Sequence, residues 1–138
     1  MSRVINPDSA GKERTRLTKA IVAAIRELAR QNEPNATARD LAAFIALALE
    51  DIAAGIDASV AAWEKRDYWV KADRFRMEWA WTASLGSKMK EALLSDDWAA
   101  VALLSAQVAQ KLSKVEVSQN HRLGTPWVGA WAQLCHRP

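Results

Sequence analysis

Residues 37–65 read TARDLAAFIALALEDIAAGIDASVAAWEK, a stretch with one glycine and no proline. Large apolar side chains recur along it at three- and four-residue steps, the spacing of one face of an α-helix. They are Leu41, Ile45, Leu49, Ile52, Ile56, Val60 and Trp63. Such a helix extends about 43 Å at 1.5 Å per residue. The stretch therefore predicts an all-α fold in which one long helix spans the molecule and contacts two or more others.

Three further helices are predicted around this one. Apolar residues at helical spacing outline them at residues 12–31, 68–94 and 98–112. Pro34 prevents helical structure just before the long helix, for which Thr37 is the expected N-cap. Ser95 to Asp97 provide a stop and a new N-cap. Because short links place sequential helices antiparallel, we expect an up-down four-helix bundle over residues 12–112.

Residues 113–138 have a different sequence pattern from the four predicted bundle helices. Val115 to Ser118 alternate as an extended segment would, and Thr125 and Pro126 mark the start of a short helix that carries Trp127 and Trp131. We expect this Trp-containing helix to pack on the bundle, with docking of another chain as the alternative. Residues 1–11 are expected to form an N-terminal extension.

The composition fits one folded domain. Half of the 138 residues are apolar, a quarter are charged and only nine are glycine or proline, which excludes a disordered chain. A single cysteine, Cys135, removes any intramolecular disulfide. The first residues lack the apolar core of a secretion signal, and the acidic residues within the long helix make its insertion into a bilayer unfavourable. We therefore expect a cytoplasmic protein that does not enter a membrane.

Charge is distributed unevenly along the chain. Residues 1–30 hold seven basic and three acidic side chains, whereas residues 31–64 hold one basic and six acidic ones. The favoured interpretation is that opposite charges flank one antiparallel helix pair. The alternative is a basic face that binds a polyanion.

No residue pattern typical of catalysis or metal binding is present. The chain lacks the Glu-x-x-His motif of di-iron bundles, a Gly-x-Ser-x-Gly motif and a phosphate-binding glycine loop. His121 lies in the tail, and Cys135 with His136 gives two ligands where zinc requires three or four. The sequence thus predicts no catalytic residue, no metal and no cofactor.

The best functional candidate is the stretch from Lys65 to Trp81, which interleaves basic and aromatic side chains. Its candidate binding residues are Lys65, Arg66, Trp69, Lys71, Arg74, Arg76, Glu78, Trp79 and Trp81. Glu78 projects onto the inner face of its helix, and Arg74 stands four residues earlier, within reach. We expect a structural network in which Glu78 bonds to Arg74 or to a Trp indole, with Lys71 as a second candidate partner. A buried and unpaired Glu78 would instead be a candidate acid or base.

Three functions follow from these patterns. The first is a non-enzymatic interaction or assembly module, a homodimer or partner of another protein, that associates through the wide apolar arc at Phe44 and Leu47 or through Trp127 and Trp131. The second is a nucleic-acid-associated small subunit that uses the basic and aromatic surface of residues 65–81. The third is a bundle that binds a small ligand near Trp79 and Trp81.

Overall fold

Five helices make up most of the described chain. The structure, a computed structural model, describes residues 7–137. The helices are α1 (Pro7–Ala29), α2 (Ala36–Lys65), α3 (Trp69–Leu94), α4 (Trp98–Lys111) and α5 (Ala130–His136). No strand occurs within residues 7–137. The all-α prediction is confirmed, and the contacts among α1 to α4 are compatible with four-helix bundle packing.

The long helix α2 is the centre of the fold. α1, α3 and α5 all pack against it, while α4 packs against α3 and touches α1. Every residue from Leu41 to Leu49 is buried except Phe44, which is half-buried. A helix surrounded by three neighbours buries most of its circumference, which explains why its apolar arc is wider than one neighbour needs.

Two helix starts differ from the sequence prediction. α1 begins at Pro7, so residues 7–11 belong to this helix rather than to an extension, and residues 1–6 lie outside the described chain. The N-cap of α2 is Asn35 rather than Thr37, because Asn35 has the extended backbone that this position requires (φ −96°, ψ −177°). Its Oδ1 accepts the Ala38 N–H at 2.8 Å. The predicted cap at the start of α4 is confirmed, since Asp97 Oδ1 accepts the Ala100 N–H at 3.1 Å.

The last helix begins later than Thr125 and Pro126 suggest. Residues 126–129 form turns, and Gly129 has a φ of +84°, which interrupts the helix and favours glycine. α5 therefore starts at Ala130. Its C-terminal end is held to α2 by Arg137, whose Nη1 lies 3.3 Å from Glu50 Oε2 and 3.2 Å from Asp51 Oδ1.

Candidate interaction surface

The predicted interface on α2 and in the tail is largely covered by the chain itself. Leu47 is 4% exposed and Trp127 is 8% exposed, while Phe44 and Trp131 are half-buried. The tail packs on α2, where Asp40 binds the backbone N–H groups of Gly129 and Trp131 and Arg137 pairs with Glu50, so it lies along the N-terminal half of that helix. Leu47 and Trp127 are therefore not free to contact another chain in this structure.

The expected attraction between the basic α1 and the acidic α2 takes another form. Within the described residues no ion pair joins the two helices. Arg16 and Arg30 instead pair with glutamates of their own helix. The acids of α2 pair with Arg137 from the tail and with Arg76 from α3. The ion-pair partners of the α2 carboxylates could therefore not be identified from the neighbouring basic segment, because the fold brings cations from later in the chain closer to them.

A cluster of rings and cations joins α1, α2 and α3, and we call it the cation–aromatic cluster. Its members are Arg14, Trp63, Lys71, Phe75, Trp79 and Trp81. Lys71 Nζ lies 4.5 Å from the Trp63 ring centroid, and the Trp63 and Phe75 rings meet edge-on with centroids 4.8 Å apart.

The cluster continues from Phe75 towards the middle of α3. The Arg14 guanidinium carbon is 4.9 Å from the Phe75 centroid and 5.4 Å from that of Trp79. Trp79 and Trp81 stack with centroids 6.2 Å apart. These are distances at which cation–π and aromatic contacts are favourable. The rings therefore contribute to packing between helices, and Lys71 and Arg14 already occupy positions over three of them.

An open groove lies beside this cluster. It encloses about 460 Å³ and is lined by Trp63, Val70, Lys71, Arg74, Phe75 and Glu78. Glu78 is exposed, so it is not the buried acid that its helical position suggested. No ion pair joins Arg74 to Glu78 in the part of the chain that the structure describes, and the predicted bond between Glu78 and Arg74 is therefore not formed.

The exposure of Glu78 and the lack of an ion pair between Arg74 and Glu78 have one physical cause. Between Trp69 and Trp81 the only buried residue is Ala72, while Phe75, Trp79 and Trp81 are half-buried, so neighbouring helices cover the inner face of this half of α3 only in part. The helical projection of Glu78 was correct, but the projection assumed that a neighbouring helix covers that face. The groove is the space where such a neighbour is missing.

The charges around the groove are mixed in sign. Residues 64–78 contain five basic and four acidic side chains. Lys65, Arg66, Trp69 and Arg74 are exposed. Arg76 is held by two carboxylates, with its guanidinium 3.4 Å from Glu64 and 2.6 Å from Asp73. The surface is therefore not the strongly positive patch that a polyanion would require.

Exposed apolar side chains are concentrated on the same half of α3. Tyr68, Trp69, Val70 and Met77 are 53%, 55%, 67% and 78% exposed, whereas the other large exposed hydrophobic residues of the described chain are Leu94, Leu103 and Val128. Val70 and Met77 are not among the site residues predicted from the sequence. Their signal was their position seven residues apart on one helix face, away from the core stripe.

The described residues contain no group of three or more His, Cys, Asp or Glu side chains that could hold a metal ion. None of the helices in residues 7–137 combines the length and the hydropathy needed to cross a bilayer.

Comparison of the chain with protein-family models, curated proteins and solved structures finds no match. The groove has the volume of a ligand site but is open to solvent. The exposed residues near it include Tyr68, Trp69, Met77 and Arg74, of types that are enriched in protein–protein interfaces.

Proposed function

We propose that the chain is a non-enzymatic helical interaction module that self-associates through the first half of α3. One observation carries the proposal: four of the seven large exposed hydrophobic side chains of the described residues fall between Tyr68 and Met77. Scattered single apolar residues are normal on a surface, whereas a concentration of them marks an interaction site.

The proposal includes an antiparallel up-down order of α1 to α4. For α2 and α3, three contacts support it, because the start of α3 meets the end of α2 and a later part of α3 meets an earlier part of α2. Arg76 pairs with Glu64, Phe75 meets Trp63, and a methyl group on Gly86 would lie 3.1 Å from Leu49 Cβ.

In this arrangement α4 is too short to cover α3. At 1.5 Å per residue α3 is about 39 Å long and α4 about 21 Å. Returning from Leu94, α4 would end beside about residue 80 of α3. The first half of α3 then has no α4 alongside it, which accounts for its exposure and for the groove.

The mixed charge favours a second copy of the chain over a nucleic acid as the occupant. A nucleic acid binds most tightly to a surface that carries only positive charge. The carboxylates of Asp67, Asp73 and Glu78 would repel its phosphates. Two identical surfaces that carry both signs can place cations of one against carboxylates of the other. The exposed segment is about 18 Å long, so we expect a weak dimer with less buried area than the ~800 Å² per partner of a standard interface.

Sedimentation velocity at about 10 to 500 µM, a range suited to a weak interface, tests the proposal. The mean mass of the wild type should rise with concentration towards twice the chain mass. Met77→Glu should shift the rise to at least tenfold higher concentration, because it places a charge in the proposed interface. Leu103→Glu is the matched control, since Leu103 is 62% exposed on α4 and lies outside the surface.

Two results would contradict the proposal. One is a wild type that stays monomeric across the range, and the other is equal behaviour of the two glutamate variants. A parallel titration with a fluorescent single-stranded oligonucleotide addresses the alternative function. Nucleic-acid binding would replace self-association as the proposed function under two conditions. The wild type stays monomeric and binds the oligonucleotide in a salt-sensitive manner, and the double variant Arg66→Ala with Arg74→Ala does not bind it.

A further inference from the structure

One stripe of α3 combines apolar and charged side chains at helical spacing. It consists of Val70, Arg74, Met77, Glu78 and Trp81, and we call it the α3 stripe. At 100° per residue these five positions fall within an arc of about 100°, the width of a helix-packing face. All but Trp81 are exposed, and Trp81 is half-buried.

Arg74 and Glu78 are the charged members of the stripe. Neither takes part in an ion pair within the described residues, although they are four positions apart and both line the groove. Arg76, by contrast, has two carboxylate partners close by. The stripe therefore presents one cation and one anion, side by side between apolar residues, without an ion-pair partner in residues 7–137.

We propose that two copies join through the α3 stripe, with the two α3 helices antiparallel about a two-fold axis, and that Arg74 of each copy pairs with Glu78 of the other. This arrangement rests on the proposed self-association and specifies its geometry. A two-fold axis beside residue 76 places position 74 of one helix opposite position 78 of the other. The same axis brings Val70 to within about one residue, ~1.5 Å along the helix, of the level of Trp81, so the apolar members of the stripe also meet.

Symmetry makes the charge pairing specific. An isologous interface uses each contact twice, so the dimer contains two Arg74–Glu78 ion pairs. Each copy then contributes a helix to the open position beside the other copy's groove. A single exposed ion pair contributes little to stability, but reversing one of the two charges turns both pairs of the dimer into repulsive contacts.

The test uses Arg74→Glu and Glu78→Arg, alone and mixed. Arg74→Glu should dimerise at least tenfold more weakly than the wild type, because a carboxylate at position 74 would face Glu78 of the other copy twice. Glu78→Arg should weaken dimerisation similarly. An equimolar mixture of the two variants should form a heterodimer close to wild-type affinity, because both pairs across the axis are again of opposite sign. Lys88→Glu is the matched control, a charge reversal on an exposed lysine of α3 outside the stripe.

The outcomes separate this inference from the proposed function. Weak single variants and a restored mixture, with the Lys88 variant unchanged, would support the antiparallel pairing. A wild-type dimer that tolerates both reversals, or a mixture as weak as its components, would overturn the pairing while leaving self-association intact. A monomeric wild type would overturn both. Circular dichroism of each variant confirms that the helices are retained.

Discussion

Asp40 on α2 caps the helix that contains Trp131. The backbone N–H of Trp131 donates to Asp40 Oδ1 at 3.0 Å, and the N–H of Gly129 donates to Oδ2 at 3.1 Å. Gly129 occupies the N-cap position of α5 and has no side chain to accept these protons. Asp40 therefore supplies the capping carboxylate from another helix, and the Arg39 guanidinium lies 5.4 Å from the Trp131 ring. The C-terminal helix is fixed to α2 by polar as well as apolar contacts.

Replacing Asp40 tests this attachment. Asp40→Ala leaves two N–H groups of α5 without their acceptor, so we expect a loss of about 1 to 2 kcal/mol in the free energy of unfolding. Urea unfolding followed by tryptophan fluorescence measures it. Asp57→Ala is the control, because Asp57 is an exposed acid of the same helix. Equal effects of the two variants would show that the cap contributes nothing.

Two helical glycines should respond oppositely to alanine. A Cβ at position 55 would meet nothing within 4 Å, so Gly55→Ala should stabilise the protein by up to about 1 kcal/mol through helix propensity. A Cβ at position 86 would lie 3.1 Å from Leu49 Cβ and 3.5 Å from the Ala46 carbonyl oxygen. Neither atom can rotate away, so Gly86→Ala should destabilise the contact between α2 and α3. Thermal unfolding of both variants checks the difference in sign, and a stabilising Gly86→Ala would contradict the close approach.

Arg14 should contribute to stability through its contacts with Phe75 and Trp79. Arg14→Met keeps most of the side-chain stem and removes the cation, so we expect a loss of about 1 kcal/mol in unfolding free energy. Tryptophan emission should change as well, because Trp79 loses a neighbouring charge. Lys12→Met is the control, since Lys12 is exposed on the same helix. If Arg14→Met is as stable as the wild type and its emission is unchanged, the cation–π contacts of Arg14 do not contribute to the free energy of unfolding.

Glu13 should titrate below its ordinary range. The hydrogen bond from Arg16 lowers the pKa of Glu13 from its usual 4.5, against a smaller opposing effect of burial. A lowered pKa favours the folded state above about pH 4.5, and this contribution is lost as the pH falls through the folded-state pKa. Carboxyl-carbon NMR should therefore give a midpoint below 4.5 in the wild type and near 4.5 in Arg16→Gln. Arg30→Gln, which removes the other i,i+3 pair of α1, should leave the Glu13 midpoint unchanged.

Much of the fold could be predicted because it follows from local periodicity. The stripe from Leu41 to Trp63 defines α2, and Asp97 has the side chain that an N-cap needs. The start of α5 could not be predicted in the same way. Its cap comes from Asp40, far earlier in the chain, and no local pattern reports such a contact.

The candidate site was predicted as a segment but not as a geometry. The interleaving of basic and aromatic residues predicted a binding segment at residues 65–81, which the fold places at the end of α2 and in the first half of α3. It could not show that Arg76 would be neutralised by Glu64 and Asp73, or that Arg14 from α1 would cover Phe75. Those contacts depend on how three helices meet. The exposure of Glu78 likewise depends on the absence of a neighbour, which periodicity within one helix does not record.

Cysteine cross-linking tests the central claim most directly. In a Cys135→Ser background, Met77→Cys places a thiol close to the proposed two-fold axis, and Leu103→Cys places one on the exposed face of α4. Under mild oxidation at equal concentration, we expect rapid formation of a disulfide-linked dimer by the Met77→Cys protein and little by the Leu103→Cys protein. Absence of a cross-link at position 77, or equal cross-linking at both positions, would contradict self-association through the first half of α3.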